Sequence, residues 1–125
     1  MDAQLVTDEM FSPILDLLVM NNPDITKIII EITRELTSKG INKILEEVWY
    51  VGRLIFALER LDPMNKPKLI NLIKDLLECK HFNENFRRIN GVPTLINELR
   101  KSQGNLLLRI SILNCIYRLL LTTKT

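Results

Sequence analysis

The chain has 125 residues, of which 46% are hydrophobic and 26% are charged, a balance typical of globular proteins rather than disordered or fibrous ones. Two cysteines are too few for a disulfide framework, so we expect a reducing, cytoplasmic environment. The net charge of +2 hides an uneven distribution, −4 over residues 1–79 and +6 over residues 80–125, which either marks a partner surface or arose by chance.

The first forty residues predict two helices. The first covers about residues 7–20, with Thr7 as its N-cap and Pro13 as an alternative start. An Asn-Asn-Pro-Asp turn follows, and its Asp24 is predicted to cap a second helix that ends near Ser38. The apolar residues of this second helix recur three and four positions apart, at Ile25, Ile28, Ile29, Ile32 and Leu36.

Two further helices are predicted over residues 41–61 and 66–79, separated by an Asp-Pro pair. The third contains Gly52, which allows a close helix contact or a kink. Its apolar stripe includes Ile44, Leu45, Val48, Leu54, Ile55, Leu58 and Leu61. The fourth repeats leucine and isoleucine at helical spacing, at Leu69, Leu72, Ile73, Leu76 and Leu77.

The last third of the chain predicts a short helix over residues 83–89, a helix opened by Pro93, and a long helix over residues 105–121. The long helix is apolar nearly all round, although Arg109 and Arg118 interrupt it, and it falls short of the ~20 apolar residues that a bilayer requires. Such a helix is normally buried on all sides. We therefore expect that residues 41–79, a partner protein or a second copy in a homodimer covers it.

The segment 82–121 carries a family resemblance. A short helix, an Asn-Gly break, the sequence GVPTLINEL, a polar loop and a long apolar helix together resemble one armadillo repeat. Residues 13–38 resemble a weaker second copy, and Leu54, Ala57, Leu58 and Leu61 give a third echo, whereas residues 66–79 fall between the echoes. The resemblance implies an all-α fold in which about six to seven helices stack into a short right-handed solenoid, forming one domain over residues 1–125.

Armadillo repeats commonly bind extended peptides on the concave face that their third helices form, and nuclear-import receptors use a ladder of asparagines there. By the resemblance, the ladder positions fall at Arg118, Glu35 and Arg60, none of which is asparagine. This departure argues against a receptor for nuclear-localisation signals. Arg60, Arg118 and Arg109 instead suit acidic or phosphorylated partners, or are simply solvated, and Tyr117 and Glu35 complete the set of candidate partner-binding residues.

Catalytic and metal-binding chemistry is not indicated. Cys79 and His81 are two ligands where a zinc site takes four, and Cys115 has no histidine near it in sequence. No glycine-rich phosphate loop occurs, so we expect no cofactor and no enzyme activity.

The sequence therefore predicts a protein-interaction module that acts as a scaffold or regulatory domain. By analogy of fold alone, such a module is often part of a kinase, a formin or an adaptor protein. The alternative is a helical module that binds nucleic acid through the basic half of the chain.

Overall fold

The computed structural model of the chain describes residues 8–40 and 43–123. Over these residues the chain forms seven α-helices and no strand, which confirms the predicted all-α class. The helices are α1 (Asp8–Asp16), α2 (Pro23–Ser38), α3 (Val48–Arg60), α4 (Lys66–Leu76), α5 (Lys80–Arg88), α6 (Gly91–Lys101) and α7 (Leu106–Leu121).

Helix α1 begins at Asp8, which agrees with the predicted start near Thr7. Pro13 lies inside it, so the prediction of a helix beginning at Pro13 is wrong. After Asp16 the chain tightens into a 3-10 turn over Leu17–Met20, which ends on Asn21 in the left-handed region. The predicted cap Thr7 lies outside the described residues.

The N-cap of α2 is Asn22, which corrects the prediction of Asp24. The Asn22 Oδ1 atom accepts hydrogen bonds from the backbone N–H of Asp24 at 2.9 Å and of Ile25 at 3.1 Å, and Pro23 occupies the first turn. Asparagine is a preferred N-cap residue, and the backbone of Asn22 is extended, as this position requires. Asp24 already belongs to the first turn of the helix, where its negative charge interacts favourably with the helix dipole.

The predicted third helix is interrupted. A 3-10 turn over Ile44–Glu46 precedes α3, and Glu47 between them is extended with ψ of 137°. The break leaves the carbonyl of Glu46 outside the helix, where Asn85 Nδ2 donates a hydrogen bond to it at 2.8 Å. The hydrogen-bond donor to the Glu46 carbonyl therefore comes from α5, which is remote from Glu46 in the sequence. The predicted start at Ile41 lies outside the described residues.

The remaining boundaries shift by a few residues. Helix α4 ends at Leu76, earlier than predicted, and α5 begins at Lys80 rather than at Asn83. Asn90, in the left-handed region with φ of 72°, separates α5 from α6, which starts two residues before Pro93. Helix α7 agrees with the prediction, with Asn105 as its N-cap.

Helix α4 lies at the centre of the packing. It contacts α2, α3 and α7, while α3 contacts α1, α5 and α6 as well. The apolar residues of α4 are buried, and so is the helix start at Lys66 and Pro67. One continuous hydrophobic core therefore includes residues of all the described α-helices.

The buried face of α2 is rotated from the predicted one. Thr26 and Thr33 are buried, whereas Ile28 is 55% exposed. Thr33 satisfies its hydroxyl within the helix, where its Oγ1 donates to the carbonyl of Ile29 at 3.1 Å. An internally bonded threonine can replace an isoleucine on a core face, which is why the apolar spacing alone misplaced the face.

An aromatic cluster joins three helices within the core. Phe11 of α1 and Phe82 of α5 lie on either side of Tyr50 of α3, with ring centroids 6.0 and 6.2 Å from that of Tyr50, and Phe86 stacks on Phe82 at 6.3 Å. These residues lie far apart in the sequence, and the fold brings them together. Their rings are fully buried and fix how α1 and α5 sit against α3.

A buried ion pair joins the start of α4 to α6. Lys66 Nζ donates to Glu98 Oε1, and the two side chains are 8% and 1% exposed. Lys101, one turn along α6, places its Nζ 3.2 Å from the other carboxylate oxygen of Glu98. Each buried charge therefore has an opposite charge beside it, without which its burial would cost several kcal/mol.

The packing predicts opposite effects for two glycine substitutions. A methyl group on Gly91 would lie within 2.5 Å of Phe86 ring carbons and against its carbonyl, whereas one on Gly52 would meet only Ile89 Cδ1, at 3.8 Å. We expect Gly91→Ala to lower the free energy of unfolding by about 1–3 kcal/mol. Gly52→Ala should raise it by about 0.5–1 kcal/mol, because alanine favours a helix interior. Urea denaturation followed by circular dichroism measures both, and equal effects of the two variants would contradict the close contact at Gly91.

Candidate functional site

Helix α7 is buried on one side only, so the alternative that residues 41–79 cover it on all sides is wrong. Leu108, Ser111, Ile112, Cys115 and Leu119 face the core, where α7 packs against α4 and α6. The opposite side exposes seven large apolar side chains, which are Leu106, Leu107, Ile110, Leu113, Tyr117, Leu120 and Leu121. We call these seven residues the α7 apolar face.

No helix within residues 8–40 and 43–123 combines the length and the apolar character that crossing a membrane requires. Contiguous exposed apolar patches of this kind usually mark contact surfaces on proteins.

The C-terminal end of α7 is fastened to α5. Arg87 donates from Nη2 to the carbonyl of Leu119 at 2.6 Å and from Nε to Asn83 Oδ1 at 2.6 Å. Asn83 in turn donates to Thr122 Oγ1 at 2.8 Å. A cation at the C-terminal end of a helix satisfies its last carbonyls and interacts favourably with the helix dipole. The last turn of α7, which bears Leu120 and Leu121, is therefore held in place.

Three of the five predicted partner-binding residues lie on α7, and the two arginines among them have partners within the chain. Arg118 forms an ion pair with Glu78, just beyond the end of α4. Arg109 donates from Nε to the carbonyl of Ser102 at 3.3 Å. Tyr117 belongs to the α7 apolar face and is 61% exposed. The fold thus brings Arg109, Tyr117 and Arg118 to one helix, with the tyrosine outermost.

The other two predicted residues lie elsewhere. Arg60 ends α3 and places its guanidinium carbon 3.4 Å from the ring centroid of Phe56. Glu35 lies in the last turn of α2, with its carboxylate 3.2 Å from Lys39 Nζ. Among the described residues, no hydrogen bond or ion pair joins any two of the five predicted residues.

A groove between α2 and α4, lined mainly by residues with charged or polar side chains, was missed by the sequence-based prediction. It has a volume of ≈ 380 Å³, and an ion pair of 2.5 Å between Arg34 and Asp75 links the two helices beside it. Its lining comprises Lys27, Ile30, Glu31, Arg34, Lys68 and Asn71. The prediction left α4 outside the repeats, so its exposed residues were not considered, although Lys68, Asn71, Asp75 and Glu78 recur at helical spacing.

A second groove, of ≈ 510 Å³, lies between α1 and α3 and is mostly apolar. Val19 and Phe56 on its walls are partly exposed. Arg53 lies at the same groove, where it forms an ion pair with Asp16 and donates from Nη2 to Ser12 Oγ at 3.1 Å. The arginine therefore joins α3 to α1 and has partners within the chain.

The thiols and the histidine do not form a reactive group. Burial raises the pKa of the Cys115 thiol to about 12, and burial together with the nearby Glu46 raises the pKa of the Cys79 thiol. Nucleophilic cysteines need a lowered pKa. His81 lies on the surface, with Nδ1 3.9 Å from Glu84, and no set of three potential metal ligands gathers anywhere in the described part of the chain.

Comparisons of the chain with protein-family models, curated proteins and solved structures found no match. The chain is therefore assigned to no family.

The two thiols should differ sharply in reactivity. Cys115 is fully buried, whereas Cys79 is half-buried. In the native protein at pH 8 we expect a disulfide reagent such as DTNB to modify about one thiol, and both in denaturant. Raising the pH to 9 should accelerate the first reaction, because more Cys79 becomes thiolate, and leave the second nearly unchanged, because the pKa of Cys115 is about 12. Rapid modification of the one thiol that remains in the folded Cys79→Ser variant would show that Cys115 is not buried.

Proposed function

We propose that the chain is a protein-interaction module, an armadillo-like scaffold or regulatory domain whose α7 apolar face is the principal contact surface. The observation that carries the proposal is that seven of the large apolar side chains of one helix are exposed together. A surface of this kind is stabilised when a partner removes it from water.

The helix packing supports the armadillo-like arrangement. Helix α4 lies between α2 and α7 and contacts both of them, and α3 contacts both α1 and α6. The starts of α2, α4 and α7 lie 43 and 40 residues apart, close to the period of armadillo repeats. In this arrangement the repeats comprise α1–α2, α3–α4 and α5–α7. The third helix of the middle repeat is then α4, and not α3, whose residues Leu54–Leu61 the sequence resemblance had suggested for that position.

This arrangement changes which residues share the peptide-binding side. Arg118 and Glu35 lie on third helices, whereas Arg60 on α3 belongs to the other layer, where it stacks on Phe56. The α2–α4 groove, with Lys27, Lys68 and Asn71, joins the candidate surface instead. An acidic or phosphorylated peptide fits there, since lysines and an amide supply donors.

The nucleic-acid alternative has weaker support. Several cations of the basic half have partners within the chain, since Arg87 donates to the end of α7, Lys101 neutralises Glu98 and Arg118 pairs with Glu78. Nucleic-acid affinity depends on free cations that displace counterions from phosphates. We propose no catalytic activity and no cofactor, and a cytoplasmic protein with two free thiols.

The proposal predicts that charge on the α7 apolar face abolishes partner binding. The double variant Leu113→Glu/Tyr117→Glu places two carboxylates on positions that are 53% and 61% exposed, so the fold should tolerate it. Affinity capture from an extract of the source cells, quantified by mass spectrometry, should show the proteins enriched by the native chain reduced at least tenfold, because interface cores do not tolerate unpaired charge.

The matched control is Ile28→Glu/Met64→Glu, which places the same charges on exposed apolar positions of other elements, 55% and 87% exposed. Circular dichroism checks that both variants fold. Retained capture by the α7 variant, or equal loss in both variants, would contradict the assignment of the contact surface to α7.

A further inference from the structure

The α7 apolar face has the residue spacing of a helix-pairing seam. Leu106, Ile110, Leu113, Tyr117 and Leu120 follow one another at intervals of four, three, four and three residues. This alternation brings side chains to a single stripe along a helix, as in two-stranded helix packing. Leu107 and Leu121 widen the stripe at its two ends. The face therefore fits another helix better than it fits an extended strand or a compact apolar ligand.

The distribution of exposed apolar residues reads nearly the same in both directions along α7. Helix α7 covers Leu106–Leu121, so its midpoint lies between Leu113 and Asn114. Reversal about this midpoint exchanges Leu106 with Leu121, Leu107 with Leu120, and Ile110 with Tyr117. A face with this property is complementary to itself when two copies meet in antiparallel orientation across a two-fold axis, which is how isologous dimers form.

The size of the face is sufficient for a dimer. The seven side chains are 47% to 72% exposed. With roughly 200 Å² for a fully exposed residue of this size, within the range of the aromatic residues, these fractions amount to an exposed area on the order of 800 Å². A stable protein interface buries about 800 Å² on each partner.

The polar residues of α7 are compatible with such a contact. Arg109 and Arg118 are nine residues apart, about two and a half turns, so they leave the helix on opposite sides of the face. Arg118 forms an ion pair with Glu78, and Arg109 donates to the Ser102 carbonyl, so both guanidinium groups are held by contacts within their own chain at the edges of the face. Asn114 is exposed beside Leu113, at the midpoint where the two-fold axis would pass, and an asparagine there can bond its copy and fix the register.

We propose that α7 pairs with α7 of a second copy of this chain, antiparallel and centred on Leu113 and Asn114. This inference rests on the proposed function of the α7 apolar face as a protein contact surface and names its occupant. The dimer buries the face on both copies at once, and leaves the α2–α4 groove outside the contact.

Sedimentation equilibrium of the 125-residue chain over a range of concentrations tests the stoichiometry. We expect the mass to rise from that of the 14.6 kDa chain to twice that value. Leu113→Glu should raise the dimer dissociation constant by roughly 30-fold or more, because it brings two like charges to the centre of the contact. Met64→Glu is the matched control, since Met64 is 87% exposed outside α7, and it should dimerise like the native chain.

Cross-linking tests the orientation. In a Cys79→Ser background, Asn114→Cys should cross-link to its copy with a short bis-maleimide, because both lie at the axis. Leu106→Cys alone should not cross-link, whereas a mixture of the Leu106→Cys and Leu121→Cys variants should, since these positions meet at the ends of the contact. Self-cross-linking of Leu106→Cys would show parallel helices and overturn the antiparallel proposal.

The failure of this inference is distinguishable from that of the proposed function. A chain that stays monomeric at all concentrations, while Leu113→Glu/Tyr117→Glu still loses captured proteins, overturns the dimer and leaves α7 as a surface for a different protein. A monomeric chain whose capture is unaffected by that variant overturns both. A dimer that Leu113→Glu does not weaken places the contact elsewhere and overturns the inference.

Discussion

The burial of α4 between α2 and α7 is the contact on which the rest of the structure depends. Its apolar residues face three neighbouring helices at once, so the helices on either side are held through it rather than through each other. An ion pair fixes its start, where Lys66 meets Glu98 of α6 away from solvent. Because such a pair is stable only when both partners are present, it sets the position of α6, and hence the side of α7 that can be covered.

The exposure of α7 follows from this arrangement. Helices α4 and α6 cover one side of α7, and no described element covers the other. The surface of the protein therefore differs between the two sides of α7. On the α2–α4–α7 side, ion pairs such as Arg34 with Asp75 and Arg118 with Glu78 bridge neighbouring helices. On the outer side of α7, apolar residues meet water directly, and the proposal that α7 is a contact surface rests on this contrast.

The sequence predicted the helical class and the extent of α7, because periodic apolar residues and turn residues are local signals. It misplaced the buried face of α2, because Thr33 satisfies its hydroxyl within the helix and so reaches the core as an isoleucine would. It missed the break before α3, because the group that satisfies the Glu46 carbonyl comes from Asn85, thirty-nine residues away. The half-exposure of α7 was also beyond local signals, since apolar composition gives no direction for the covering helix. Among the candidate residues, the partner of Arg118 depends on which helices become neighbours, whereas Arg60 contacts Phe56 of its own helix.

The contact of Arg87 with the end of α7 has a consequence for binding kinetics. A terminal helical turn commonly frays, so a leucine carried on it must first be ordered before it can be buried by a partner. Here the guanidinium of Arg87 holds the Leu119 carbonyl, and Thr122 adds a further link through Asn83. Leu120 and Leu121 are thus presented on a turn that is already rigid. In the proposed contact, association at this end of the helix therefore requires little loss of conformational freedom, and we expect no folding step to precede docking there.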